Sequence, residues 1–293
     1  MIGQTQPLVT IGIPTYNRAA MLRRAIESAL GQDYSNIEVI ISNNASTDET
    51  QEVCQEYSKK DNRVKYVTQS SNIGVLANFA EVLKRASGEY FMWLGDDDWI
   101  DDAYVKHCTS LLIADPSLAL VSGVPTYYRD GEKIGEGKLF DLLEDLWTVR
   151  VAFYYSKVED NGMFYGIMRT AQIQLVVFPN NFGGDWHLIA NIVSAGKTKM
   201  CSAVSAHREM GMSASYRDIV KSLGLPTLLA VFPMTTIAIG AAWEIVFSGA
   251  AYKKRGLLTR IVLAVVVFLR VIARPLIPYL ASVKNLVKRN TPR

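Results

Sequence analysis

The stretch Ser87-Gly88-Glu89-Tyr90-Phe91-Met92-Trp93-Leu94-Gly95-Asp96-Asp97-Asp98-Trp99 sets an apolar run directly against three carboxylates. Tyr90–Leu94 has the length and continuous apolar character of a buried strand. Three adjacent carboxylates repel one another, so they are costly together unless a cation or solvent compensates. Mg²⁺ and Mn²⁺ take hard oxygen ligands, commonly one or two carboxylates plus phosphate oxygens. The triplet therefore reads either as a divalent-cation site that could hold a nucleotide diphosphate, or as an acidic loop in water.

Upstream, strand and helix periods alternate. Leu8–Ile13 is an apolar, β-branched run closed by Pro14. Arg18–Leu30 carries Met21, Leu22, Ala25, Ile26 and Ala29 at helical spacing and stops at Gly31. Ile37–Ile41 and Val64–Val67 read as strands. Between them a helix runs to about Tyr57, capped by Ser46 or Thr47. Val75–Ala86 reads as a helix ending at Gly88. This alternation, with continuous apolar strands, predicts an α/β fold: a mixed, mainly parallel sheet with helices on both faces. Ligands of such sheets sit outside the carboxyl ends of the strands. Three polar clusters fall there: Thr15-Tyr16-Asn17-Arg18, Ser42-Asn43-Asn44 and Asp96-Asp97-Asp98.

Downstream the pattern loosens. Asp101–Ile113 reads as a helix, Leu118–Ser122 and Met163–Met168 as strands, Asp185–Ala195 as a helix after Gly183-Gly184, and Thr198–Val204 as a last strand. The 293 residues are 49% hydrophobic and 20% charged, a globular composition. The three cysteines (Cys54, Cys108, Cys201) are scattered, which argues against a disulfide scaffold or a zinc site. The N-terminus lacks a basic region followed by a long apolar one, so no signal peptide is expected.

Charge divides the chain. Ten of the 31 Lys and Arg lie beyond Glu244, the last acidic residue, leaving 21 basic and 28 acidic before it, a net of −7. Residues 1–215 are expected to form the α/β body as one domain. Residues 216–293 are expected to form an apolar, basic helical region for membrane association or oligomerisation. Ser222–Trp243 holds 22 residues without a charge, long enough for a membrane span, but contains Pro226 and Pro233. Ile261–Leu269 is too short to span. Arg260, Arg270 and Arg274 fall within about 80° on a helix, with Val, Leu, Ile and Phe elsewhere, the pattern of an interfacial helix. The alternative is an amphipathic pair buried in a homo-oligomer. Few aromatics interleave the basic residues, so no nucleic acid is expected as a partner.

The ordered set IPTYNR, SNNASTD, NIG and SGEY…WLGDDDW resembles the family 2 glycosyltransferases of GT-A (Rossmann-like) fold. The likeness is dense over 8–99. It continues loosely to about residue 215 through Phe164–Arg169, Gly183–Trp186 and Ala206–Ser215. It implies an inverting sugar transfer from a nucleotide-sugar donor, with Mn²⁺ or Mg²⁺ as cofactor. It implies that Pro14, Thr15, Tyr16 and Asn17 form the lip of the nucleotide pocket, with Tyr16 against the base. Asn43 stands where the family usually has Asp, and its amide oxygen can still accept from the base. Asp98 would be the principal metal ligand, with Asp96 and Asp97 near ribose, metal or phosphate. Gly95 stands where the family often has Asp. Asp185 falls at the position of the catalytic carboxylate, and also at a helix start where it could merely cap. His207 falls where some members place a further metal or diphosphate contact.

Asn72, Gly74 and Asn78 read as turn-shaping and capping residues, His107 and His187 as surface or core, and Arg169 as either a phosphate contact or a salt-bridge partner. Nucleotide sugars are cytosolic, so the expected location is the cytoplasmic face of the cell membrane, peripheral or monotopic. The expected acceptor is then a glycan, polyprenyl-linked, in cell-surface polysaccharide assembly. The QxxRW motif of processive synthases is absent. A non-catalytic sugar-nucleotide-binding or scaffold protein on the same fold is the rival reading.

Overall fold

A computed structural model describes residues 6–159, 161–210 and 216–274. In chain order the elements are β1 (Val9–Thr15), α1 (Ala19–Leu30), β2 (Ile37–Asn43), α2 (Thr50–Lys60), β3 (Val64–Thr68), α3 (Val75–Arg85), β4 (Tyr90–Trp93), β5 (Trp99–Ile100), α4 (Tyr104–Ala114), β6 (Leu118–Arg129) and β7 (Glu132–Glu136). They continue as α5 (Trp147–Lys157), a 3-10 turn (Gly162–Tyr165), β8 (Ile167–Arg169), α6 (Thr170–Ile173), α7 (Gly184–Ala195) and β9 (Lys197–Glu209). The last helices are α8 (Tyr216–Ser222), α9 (Pro233–Trp243), α10 (Ala250–Lys253) and α11 (Leu257–Ala273), with a π-helical turn at Glu244–Ser248.

The strands form one sheet in the order β3-β2-β1-β4-β8-β6-β9-β5, with β7 hairpinned onto β6. β1, β2, β3 and β4 are parallel, and β8 turns the sheet antiparallel. Their burial explains the unbroken apolar runs: every residue of β1 and β2 is buried. Gly12 lets α3 approach β1, since a Cβ there would lie 2.8 Å from Val82 Cγ2. At the sheet's opposite end from the three polar clusters, buried Glu38 accepts from Thr10 Oγ1 at 2.6 Å and from Lys65 Nζ at 2.8 Å.

Several expectations need correction. α2 starts at Thr50, with Asp48 rather than Ser46 or Thr47 accepting from its first N–H, that of Thr50. The strand expected at Leu118–Ser122 is the first part of β6, which runs on to Arg129; β7, β5 and α5 carry no clear period in the sequence. β9 runs to Glu209, so His207 lies on a strand. Arg169 is neither a phosphate contact nor an ion-pair partner: it donates to Leu118 O at 3.0 Å and Leu112 O at 2.8 Å. Ser222–Trp243 is not one helix, because Pro226 and Pro233 divide it into the end of α8, a 3-10 turn at Thr227–Ala230, and α9. Among the described residues no helix is long and apolar enough to cross a membrane.

The arginines of α11 do not form a free basic face. Arg260 donates to Val246 O and Arg270 to Ser156 Oγ, each at 2.8 Å, and Arg274 donates to Val158 O. Arg270 stays exposed despite its bond, and most of what α11 leaves in solvent is apolar, including Leu258, Val262, Val265 and Leu269. Lys284, Lys288, Arg289 and Arg293 lie outside the described residues.

Candidate active site

The carboxyl ends of β1, β2 and β4 converge on a cavity of about 520 Å³. Of the residues expected at a nucleotide pocket, Pro14, Thr15, Tyr16, Asp96 and Asp97 line it. Tyr16 stands at its lip, 43% exposed, while its backbone end is fixed by β1. Arg18, Asn44, Asn78 and Tyr165 also line it. The first two stood in the polar clusters without an assigned role. Tyr165 falls in the Phe164–Arg169 segment of the resemblance but had no role assigned, because it enters from a 3-10 turn far along the chain.

Asn17 and Asn43 play a supporting part. Asn17 takes a left-handed φ of 53° and accepts from Thr47 N at 2.8 Å, while its own N–H donates to Ser46 Oγ at 2.9 Å. Asn43 is fully buried; its oxygen accepts from Ser46 N at 2.9 Å and its amide donates to Gln51 Oε1 at 3.1 Å. Asn17 thus ties the β1–α1 loop to the β2–α2 loop, Asn43 braces the β2–α2 loop against α2, and neither lines the cavity. Asn78, expected to cap α3, instead bonds Ser42 Oγ at 2.6 Å and Ser42 O at 3.0 Å, tying the helix to the end of β2. Asn72 shapes its turn as expected, accepting from Gly74 N at 2.9 Å.

The triplet is buried unevenly. Asp96 and Asp98 are 7% and 3% exposed. Burial pushes the Asp96 carboxyl up to about 6, against the opposing charge of Arg18. Arg18 Nη1 lies 3.1 Å from Asp96 Oδ1 and also contacts Asp97 Oδ2. Asp98 is likewise pushed up to about 6 by burial and by Asp97, while Arg208 and the Tyr165 hydroxyl favour its charged form. Glu209 N–H donates to Asp98 Oδ1 at 2.9 Å. The close of β9 against β5 thus fixes this carboxylate.

His207 stacks on Trp99, ring centroids 5.1 Å apart and planes at 12°. Its Nε2 lies 2.7 Å from Asp101 Oδ1, and its buried Nδ1 has no hydrogen-bond partner. A carboxylate on one ring nitrogen with the other left open is the arrangement of a metal-bound histidine. Among the described residues no three His, Cys, Asp or Glu side chains are grouped to hold a metal. Asp98 and the open nitrogen of His207 each offer a single donor, fewer than a metal's coordination shell requires.

Asp185 opens α7, just after Gly183, whose φ of 85° turns the chain into the helix. The carboxylate accepts from Asn161 Nδ2 at 3.1 Å. Burial raises its pKa, while Asn161, the Trp186 N–H and Arg208 favour the charged form. Arg208 thus acts on both Asp98 and Asp185, and its guanidinium sits 4.7 Å from the Tyr165 ring centroid. Asp185 does not line the cavity itself; Arg208 and the segment 161–165 join it to the triplet.

A parallel sheet that presents loop carboxylates and an arginine at its carboxyl edge, flanked by an antiparallel hairpin, is the GT-A architecture. Residues 10–178 match the family model described as Glycosyl transferase family 2. The chain belongs to this family. It is 32% identical over 168 residues to glycosyltransferase GlyA of Streptococcus pneumoniae serotype 4, covering 57% of this chain and 22% of that one. It is 29% identical over 180 residues to the GalNAc(5)-diNAcBac-PP-undecaprenol beta-1,3-glucosyltransferase of Campylobacter jejuni, covering 61% and 57%. The chain thus spans about a fifth of the first relative and just over half of the second.

Among solved structures, S. aureus TarS 1-349 superposes with a TM-score of 0.62 at 18% identity, over 89% of this chain and 71% of that one. The mannosyltransferase PcManGT of Pyrobaculum calidifontis, in complex with GDP-Man and Mn2+, gives 0.56 at 18% identity, over 96% and 81%. These likenesses establish the fold.

Proposed function

We propose that the protein is an inverting glycosyltransferase that moves a sugar from a nucleotide-sugar donor to a lipid-linked glycan in cell-surface polysaccharide assembly. One observation carries the reading: the Asp96 and Asp97 carboxylates meet Tyr16 and Arg18 in one cavity, next to Asp98, and a further, half-buried carboxylate, Asp185, is linked to Asp98 through Arg208. Family membership supports it, as does the lipid-linked substrate in the name of the Campylobacter relative.

On this reading Tyr16 lies against the base, and Asp96 and Asp97 face ribose and diphosphate. Asp98, with Nδ1 of His207, would hold Mn²⁺ or Mg²⁺, which supplies neutralisation of charge on the departing diphosphate. Arg18 and Arg208 add fixed positive charge there. Asp185 takes the proton from the acceptor hydroxyl as that oxygen attacks the anomeric carbon, for which it must come within hydrogen-bond reach. Holding donor and acceptor in line removes much of the entropic barrier. One base and no enzyme nucleophile give inversion.

The apolar faces of α9 and α11 support a monotopic placement on the cytoplasmic leaflet. Trp243 and Phe247 are 58% and 59% exposed, and Lys253, Lys254 and Arg255, just before α11 in the chain, are exposed too. Each cation near an anionic leaflet adds about 1 kcal/mol.

The test is a panel of sugar nucleotides, UDP-GlcNAc and GDP-Man included, with Mn²⁺ or Mg²⁺, scored for nucleoside diphosphate release and thermal stabilisation. Asp98→Ala and Asp185→Asn should each lose transfer, and only the first should weaken metal-dependent nucleotide binding. Binding without release for every donor would favour the scaffold reading.

A further inference from the structure

The 3-10 turn Gly162–Tyr165 touches both carboxylates on which the proposed mechanism depends. At one end Tyr165 donates to Asp98. Just before the other end, Asn161 Nδ2 donates to Asp185 Oδ2 at 3.1 Å. The turn itself is clamped: Phe164 stacks on Trp93 at 5.0 Å with planes at 12°, and a Cβ on Gly162 would lie 2.5 Å from Pro125 Cγ. Asn161 is 3% exposed and holds a left-handed φ of 53°. Asparagine tolerates that conformation better than most residues.

The amide of Asn161 has only one way to face. Its oxygen accepts from Tyr154 Oη at 2.8 Å, and Tyr154 is fully buried on α5. A flipped amide would set its oxygen against the Asp185 carboxylate and its N–H₂ against the tyrosine hydroxyl. The chain Tyr154–Asn161–Asp185 is therefore directional, ending on the side-chain oxygen of the carboxylate. A hydrogen bond of this kind does not cap the helix; α7 starts from Gly183.

We propose that Asn161, oriented by Tyr154, is the positioning residue of the Asp185 base, aiming its carboxylate and favouring its ionised form. The proposal rests on the reading of Asp185 as the base. Among the described residues, the other groups around Asp185 are these. Arg208 reaches it from β9, and the Tyr155 hydroxyl from α5 interacts with it while lying 2.8 Å from His187 Nδ1. Arg274 of α11 lies 5.2 Å from the Trp186 ring centroid. Arg150 and Glu244 serve the far end of α7, through Val193 O and Asn191.

A donor to a carboxylate stabilises the charged form, so its loss raises the pKa and moves the acid limb of activity to higher pH. The experiment follows diphosphate release against pH in the full chain, with Mn²⁺, using the donor that the panel selects. Asn161→Gly, which keeps the left-handed backbone, should move the limb up by about one unit, a tenfold loss below it, with donor KM within twofold. Tyr154→Phe should move it the same way by less. Asn161→Asp, which sets a second carboxylate beside the first, should move it furthest. If no donor turns over, the pH midpoint of carbodiimide modification at Asp185, read by mass spectrometry, replaces the limb.

Unmoved midpoints in all three folded variants, beside an inactive Asp185→Asn, would overturn the positioning role and leave the base standing. Wild-type turnover in Asp185→Asn would remove the base itself. Should Asn161→Gly fail to fold, Tyr154→Phe decides.

Discussion

Arg18 Nη1 lies 3.1 Å from Asp96 Oδ1, so the mouth of the cavity already carries a positive charge against its acidic wall. The pair is half in solvent on the arginine side, which leaves the guanidinium free to swing toward a diphosphate. In the absence of nucleotide this charge repels an incoming cation. Arg18→Gln should therefore bind Mn²⁺ about 3–10-fold more tightly without nucleotide, the scale of one screened charge. In the same variant nucleoside diphosphate should bind more weakly. Calorimetric titration of each ligand alone checks both signs.

His187 is fully buried between α5, α7 and α9, and burial pushes its pKa down to about 3. The folded form thus stays neutral while the unfolded chain, titrating near 6.5, takes up a proton. Between pH 6.5 and 3 acid therefore favours unfolding; above 6.5 the residue has no effect. At pH 5 the loss is about 2 kcal/mol. Denaturant unfolding at pH 7 and pH 5 should show it, and His187→Gln should flatten that part of the slope.

Gly12→Ala should destabilise the protein and disturb the α3 wall of the cavity. The new methyl meets Val82 Cγ2 at 2.8 Å and Phe91 at 3.0 Å, so α3 must move off the sheet. The cost is about 1–3 kcal/mol. A lower unfolding midpoint together with weaker nucleotide binding is the expected result, because Asn78 and Phe79 of α3 line the cavity.

The two sides of α11 should behave differently. Replacing Leu258, Val262 and Leu269 by Ser removes exposed apolar surface and should release the protein from anionic vesicles with little change in stability. Replacing Arg274 by Ala removes a bond to Val158 O and a contact with Trp186, and should lower the unfolding midpoint instead. Flotation and thermal unfolding on the same variants separate the effects.

The sequence alone determined the parallel half of the sheet, because strands buried on both faces must be apolar throughout and their helices must repeat at 3.6. It also placed the polar clusters at the strand ends, where chain reversal needs loops. Tyr16 and the aspartates of 96–98 were legible for that reason. What the tertiary structure decided lies in the antiparallel half. Arg208, Tyr165, Asn161 and the partner of His207 are set by pairings between residues some 20 to 110 positions apart, which no local period records. The arginines of α11 show the same limit. Helical spacing fixed their common side, but only packing against α5 and the Glu244–Ser248 turn showed that protein carbonyls and a hydroxyl take those charges, leaving the apolar side for solvent.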